Sequence, residues 1–346
     1  VDPLSEVLSL LKPHSYITAG FDAGGEWALT LDDLAGRIKC YAVTQGTCWL
    51  AMRGLDAPVR LQAGDCFVLP SGRPVRIGSD LRAEPKRASD VLDPDRSGEI
   101  VTYNGGGDVF LVGSRFEVNS RHAEVLLRTL PPLIQVRTSG DRARLRWSIE
   151  LMMEELREGR PGSSLVAQQL AHMMLVQALR LYLSEPSRDD TGWFAALADP
   201  RLGTALGAMH ADPAFPWTVQ ELAARVGMSR STFAARFRER VQETPIAYLT
   251  RWRMMLAGEK LVHGDDTLAR IAGSLGYESE HAFNTAFKRV MGISPRRYAR
   301  VSAEDAGGAQ DPKMYGSRLR AAAGRRHPRY SRRSPHSGSF PLFWKG

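Results

Sequence analysis

TVQELAARVGMSRSTFAARFRERVQETPIAY, residues Thr218 to Tyr248, is echoed further along the chain by TLARIAGSLGYESEHAFNTAFKRVMGISPRRY, residues Thr267 to Tyr298. At an offset of 49 residues Thr218 matches Thr267, Leu222 matches Ile271 and Gly227 matches Gly276. After a one-residue insertion Ser229 pairs with Ser279, Phe233 with Phe283, Phe237 with Phe287, Pro245 with Pro295 and Tyr248 with Tyr298. Each copy spells two short helices about a tight turn. Thr218 with Glu221 is a capping-box pattern, and Leu222, Ala223 and Val226 share one apolar face. Gly227 can close that helix in the left-handed conformation without a Cβ clash. Ser229 and Ser279 are natural N-caps for the second helices, where the phenylalanine pairs at i, i+4 form one buried ridge. This is helix-turn-helix grammar, written twice.

At 100° per residue the side opposite the ridge carries Ser231, Ala234, Ala235 and Arg238 in the first copy. In the second it carries His281, Asn284, Thr285 and Lys288. Asn and His can hydrogen-bond base edges, Asn bidentately to adenine, while Thr and Ala methyls can meet thymine methyls. Arg238 and Lys288, nearer the helix ends, suit phosphates, which position a protein without reading sequence. Ser229, Arg230 and Ser279 stand at helix N-termini, where backbone N–H groups and the dipole favour phosphate; Glu280 adjoins Ser279 and completes the second set. The plain alternative is a solvated helix face, against which the tandem repeat in a basic region weighs. The formal charge of +8 is unevenly placed: −3 over residues 1–209, +5 over 210–300 and +6 over 301–346. Such asymmetry favours a polyanionic partner for the C-terminal part. Between the copies, Pro245 to Val262 reads as one helix with Ala247, Leu249, Trp252, Met255, Leu256 and Leu261 apolar. As a rigid spacer it suits two major-groove segments about 34 Å apart.

On these residues, and most closely on GYESEHAFNTAFKRVMGISPRRY (Gly276–Tyr298), the region from about Asp199 to Arg300 resembles the DNA-binding domain of the AraC/XylS family of transcription regulators. The resemblance implies seven helices with two helix-turn-helix units, and an asymmetric double-stranded DNA site spanning two adjacent major-groove segments. It also implies a homodimer, an activator's contact with RNA polymerase, and a small-molecule effector. Where members of that family often carry a bulky base-reader in the first recognition helix, this chain has Ser231, Ala234 and Ala235, so the first motif is expected to supply more fit than code.

From Tyr16 to about Ile77 short alternating runs, among them Ile38–Val43, Cys48–Met52, Val59–Leu61 and Cys66–Leu69, are broken by turns at Gln45-Gly46, Ala63-Gly64-Asp65 and Pro70-Ser71-Gly72. That spacing predicts a small all-β sandwich or barrel. AVTQGTCWL and LQAGDCFVLPSGRP resemble the cupin-type sensor domain of one AraC subgroup, which implies a jelly roll. A metal-dependent cupin needs several converging imidazole or carboxylate ligands. Where related domains often carry histidines this chain has Tyr41 and Val75, and only His14 precedes His122; no catalytic residue, metal or cofactor is expected. Cys40, Tyr41 and Trp49 are the candidates for an effector pocket, with core packing as the alternative for each. The three cysteines, Cys40, Cys48 and Cys66, fit neither a disulfide framework nor a zinc site; they read as core residues, with a thiol sensor as the alternative.

Asp141–Glu158 predicts an amphipathic helix, and Ser164–Leu183 one that is apolar nearly all round and buried on more than one side, either as a core helix or against a second subunit. The whole reads as an α+β multidomain chain: a cupin-like β-barrel of jelly-roll type (1–132), helical dimerisation and linker segments (133–190, with Ser184–Thr191 as the linker), an all-α tandem helix-turn-helix domain (191–300) and a basic disordered tail (301–346). No apolar stretch approaches the roughly 20 residues of a membrane-spanning helix, and Val1–Leu11 lacks a basic segment, so a cytoplasmic protein is expected. Two other functions remain open: a cupin-type metalloenzyme with an auxiliary DNA-binding domain, and a constitutive DNA-binding regulator whose barrel only dimerises.

Overall fold

The computed structural model describes residues 2–309 apart from 12, 33–36, 71, 93–98, 119–129, 138–142, 185–191 and 265. The linker expected at Ser184–Thr191, Ser184 aside, lies outside the described residues, as does the tail beyond 309. Helix α1 (Pro3–Leu11), an element the sequence pattern does not announce, precedes the strands. Strands β1 (His14–Ala23), β2 (Ala28–Leu31), β3 (Arg37–Gln45), β4 (Thr47–Met52), β5 (Val59–Gln62), β6 (Asp65–Leu69), β7 (Val75–Gly78) and β8 (Lys86–Arg87) follow. The short helix α2 (Ala88–Val91) and strands β9 (Ile100–Tyr103), β10 (Val109–Glu117) and β11 (Ile134–Arg137) complete the β-region.

The strands form two sheets, ordered β11-β6-β3-β10-β1-β9 and β5-β4-β7-β2-β8. They face each other as a jelly-roll sandwich rather than one closed barrel, and alternation along the strands of the first sheet divides its apolar side chains between two cores. On β3, Tyr41 and Val43 point between the sheets; on β10, Val109 and Leu111 do the same. The intervening Ile38, Cys40 and Ala42 of β3, with Val112 and Phe116 of β10, point the other way, onto helices.

Those helices are α3 (Ala143–Glu158) and α4 (Ser163–Ser184), within two residues of the expected bounds. Leu145, Ile149, Met152 and Leu156 of α3 are buried, as their shared face requires. Ala167, Leu170, Ala171, Met174, Leu175, Ala178 and Leu179 of α4 are buried too, whereas Leu165 and Val166 stand 65% and 44% exposed. α4 thus buries one broad face and leaves apolar side chains on the other.

The rest is helical: α5 (Trp193–Ala198), α6 (Pro200–Ala211), α7 (Val219–Arg225), α8 (Arg230–Val241), α9 (Pro245–His263), α10 (Leu268–Ser274), α11 (Glu280–Met291) and α12 (Pro295–Ala309). α12 runs nine residues beyond the point where a disordered tail was expected to begin, a difference consistent with the helix-forming alanines and Glu304 in that stretch. α9 divides its side chains between two cores. Tyr248, Leu249, Trp252 and Met255 join the core around α5–α8, which is continuous with the helix side of the sandwich. Met254 and Ala257 join a second core with Ile271, Leu275, Phe283, Phe287 and Tyr298.

Candidate nucleic-acid interface

The two motifs are built by the same local devices. Thr218 accepts from the Glu221 N–H while the Glu221 carboxylate accepts from the Thr218 N–H, a complete capping box that starts α7. Thr267 caps α10 by accepting from the Arg270 N–H. α7 ends with the Gly227 N–H donating to Ala224 and the Met228 N–H to Ala223; α10 ends with Gly276 donating to Gly273 and Tyr277 to Ala272. Both are Schellman closures, and Gly227 and Gly276 take the positive φ they need, +64° and +77°. The two glycines differ in surroundings. A Cβ on Gly227 meets open space, whereas one on Gly276 runs into the Ala214 carbonyl. Both Gly→Ala variants should lose about 1–2 kcal/mol to the left-handed backbone, and Gly276→Ala about 1–3 kcal/mol more from overpacking. Urea midpoints of the two single variants compare them directly; equal losses would mean the 213–215 segment gives way freely.

Ser229 caps α8 by accepting from the Thr232 N–H, and Ser279 caps α11 by accepting from Ala282. Phe233 and Phe237 are fully buried with ring centroids 5.7 Å apart, and Phe283 and Phe287 repeat that spacing at 5.7 Å. The ridges being inward, the opposite faces are open. Ser229, Arg230, Ser231, Ala235 and Arg238 are exposed and Ala234 is half-buried; Ser279, Glu280, His281, Thr285 and Lys288 are exposed and Asn284 is half-buried. Among the described residues no neighbouring segment encloses either set. The Asn284 amide makes no hydrogen bond among the described residues, whereas the Thr285 hydroxyl donates back to the His281 carbonyl (3.0 Å), leaving its methyl outward. The Ser229 oxygen is engaged in its own cap and with Ser231 and Thr232 (3.2 and 2.8 Å).

Three basic residues of this region serve the fold instead. Arg236 donates to Asp199 (2.9 and 2.5 Å), which also caps α6. Burial opposes charge on Asp199, but the Leu202 N–H, the Arg236 guanidinium and the Arg201 N–H outweigh it and hold the carboxyl below its ordinary range. Arg253 donates to the carbonyls of Pro213 (2.6 Å) and Phe215 (2.8 Å) and lies over the Tyr277 ring. It thereby ties the loop before the first motif to α9 and to the turn of the second. Arg251 holds Glu243 (3.1 and 2.5 Å). α9, at 19 residues, measures about 28 Å at 1.5 Å per residue.

In the sandwich, Tyr41 lines a cavity between the sheets. Cys40 faces the helices with its Sγ 4.0 Å from that of Cys66, and Trp49 is 38% exposed beside a shallow depression at Pro58 and Asp80. The three candidate pocket residues therefore lie in three different environments. Burial, with Cys66 beside it, pushes the Cys40 thiol up, and burial near Asp65 carries Cys48 up to about 12. Among the described residues no helix is long and apolar enough to cross a membrane.

A sandwich domain joined to two exposed recognition helices on a rigid spacer is the build of a DNA-binding transcription regulator. Residues 2–184 match the model of a cupin family, and residues 222–300 that of a helix-turn-helix domain. A putative AraC-like transcription regulator of Streptomyces lividans is 43% identical over 300 residues, covering 86% of this chain and 98% of that one. A protein of the same description from Streptomyces antibioticus is 42% identical over 299 residues, again 86% and 98% of the two chains. The crystal structure of the DNA-binding domain of AdpA, a global transcriptional factor solved with a target DNA, is similar to 33% of this chain and 99% of its own, at 31% identity and a TM-score of 0.30. The chain belongs to the AraC-like transcription regulators, with a cupin domain ahead of its helix-turn-helix DNA-binding domain.

Proposed function

We propose that this regulator reads an asymmetric duplex site by laying α8 and α11 into successive major-groove segments. The observation that carries the reading is the equivalence of the two helices: each is capped by a serine, seated on a phenylalanine pair and open on the opposite face. In this reading Asn284, His281 and Thr285 contact base edges and the thymine methyl. Arg230, Arg238 and Lys288, with the N–H groups at the starts of the helices, hold phosphates. Ser231, Ala234 and Ala235 let α8 sit close to the groove while reading little. The exposed apolar side of α4 supports a homodimer, and the cavity between the sheets supports control by a small molecule. The domain then acts as a sensor rather than an enzyme, in the cytoplasm, and the regulator works as an activator through RNA polymerase.

Binding to duplexes selected from genomic DNA, compared with random duplex over a range of salt, tests this. A marked preference with a steep inverse dependence on salt is expected, and equal affinity for both pools would refute sequence-specific control. Asn284→Ala should weaken recognition by about 1–3 kcal/mol at one base pair and relax preference there. A uniform loss over all sequences would instead make Asn284 a backbone contact.

A further inference from the structure

We propose that Glu280 reads cytosine: its carboxylate accepts a hydrogen bond from the cytosine amino group in the major groove, close to the base pair that Asn284 contacts. The inference rests on the reading of α11 as a groove-bound helix, and it adds to that reading a second base and the residue that selects it.

Four residues turn a helix by about 400° and advance it by about 6 Å, so Glu280, Asn284 and Lys288 form one stripe along α11. The first motif carries Arg230, Ala234 and Arg238 at the equivalent positions of α8. Both stripes have their outer members exposed and the middle one half-buried. The repeat thus preserves the surface and reverses the charge at its first position. An arginine there can hold a phosphate. A carboxylate there is repelled by the phosphates of the duplex and, when ionised, can only accept hydrogen bonds.

Local structure does not claim that carboxylate. The Ser279 hydroxyl caps α11 by itself, accepting from the Ala282 N–H. A capping box needs its acid or amide at position 282, where this chain has alanine. Among the described residues no ion pair or hydrogen bond holds the Glu280 side chain. An acid in the first turn also suits the helix dipole; that role affects stability and not base preference. In the major groove two base groups donate, the amino groups of cytosine at N4 and of adenine at N6. Adenine sets its N7 acceptor beside the amino group, facing a second anionic oxygen, whereas cytosine sets a carbon there. The carboxylate therefore selects cytosine. At a rise of about 3.4 Å per base pair, one helical turn from Asn284 places that cytosine within about two base pairs of the pair Asn284 reads.

Selection of duplexes by the full chain, followed by affinity measurements in which each base pair is changed in turn, tests the assignment. Wild type should require cytosine at one position, within about two base pairs of the position relaxed by Asn284→Ala. Glu280→Ala should relax the cytosine position alone, by about fivefold or more, and bind random duplex more tightly than wild type. Glu280→Gln should admit adenine at that position, since an amide pairs with N6 and N7 together. N4-methylcytosine keeps its pairing with guanine but turns a methyl group into the groove in place of the amino hydrogen. It should weaken wild type and leave Glu280→Ala unaffected. Glu278→Ala removes the same charge from an exposed position just outside the Ser279 cap and should leave base preference as it was. A cytosine requirement that survives Glu280→Ala, a loss spread evenly over all sequences, or an equal response of both proteins to N4-methylcytosine would overturn the proposal. If Asn284→Ala relaxes one position while Glu280→Ala relaxes none, the groove reading stands and the role of Glu280 falls. If wild type prefers no base at any position, both fall.

Discussion

Phe287→Ala is expected to destabilise the second helix-turn-helix by about 3–5 kcal/mol, the usual cost of truncating an enclosed aromatic. Phe287 is fully buried, with its ring centroid 5.7 Å from that of Phe283 and 5.5 Å from that of Tyr298. The core it anchors is small and distinct from the one that joins the first motif to the sandwich. The loss should therefore fall on α10–α12 first. Urea unfolding followed by circular dichroism should show an early transition of small amplitude, with the β-region melting where it did before, and specific duplex affinity should vanish. Phe237→Ala removes the equivalent ring from the continuous core and should shift the main transition instead. A single shared transition in the Phe287→Ala variant would mean the two cores fold as one unit.

Tyr248→Phe is expected to cost about 2–6 kcal/mol for the removal of one oxygen, because that oxygen serves two buried groups, each costing about 1–3 kcal/mol when stranded. Trp193 Nε1 donates to the Tyr248 hydroxyl at 2.8 Å, and that hydroxyl lies 2.6 Å from His210 Nε2. Since the indole can only donate, the hydroxyl accepts from it and gives its own proton to His210. The histidine proton is thereby assigned to Nδ1, 3.7 Å from the Glu6 carboxylate of α1. Burial, and then the Arg251 charge, pull His210 down to about 3 from its usual 6.5. A histidine depressed in the folded state binds fewer protons there than in the unfolded chain, so stability falls as pH drops below 6.5 and continues to fall toward 3. The slope from this group is roughly 1 kcal/mol per pH unit. Glu6, whose carboxyl is raised chiefly by burial, acts with the opposite sign nearer the carboxylate range. The contrast between wild type and His210→Gln is therefore best read between pH 6.5 and 5, where the variant should show the flatter profile. Parallel profiles would place the acid sensitivity elsewhere.

Both helix-turn-helix motifs could be read from sequence because their determinants are local. A threonine or serine three residues from the N–H it caps, a glycine where φ must be positive, and phenylalanines one turn apart each act within a dozen residues. The β-strands were legible in outline for the same reason: period-two alternation marked β3, β4, β5 and β6. What alternation alone withheld was the partner of each face. Cys40 and Tyr41 are neighbours in sequence, yet one meets the helices and the other the cavity, and only the stacking of the second sheet says which is which. Trp49, on the outer side of that sheet, shows how little residue type reveals about a pocket. Arg236, Arg253 and Arg251 looked like any basic residues of a DNA-binding region, because their partners lie 37 or 40 positions away for the first two and in the turn ahead of its own helix for the third. α1 escaped notice because a nine-residue helix takes its stability from what it lies on.

The division of α9 between two cores constrains how this protein can change over time. Inserting one residue into that rod would turn everything beyond it by 100° and advance it by 1.5 Å. Tyr248 and Trp252 would then keep their seats while Met254 and Ala257 swung away from theirs, or the reverse. Descendants of this chain are free to drift in the composition of the segment's solvent side, but its length is frozen, and with it the stride between the two readers.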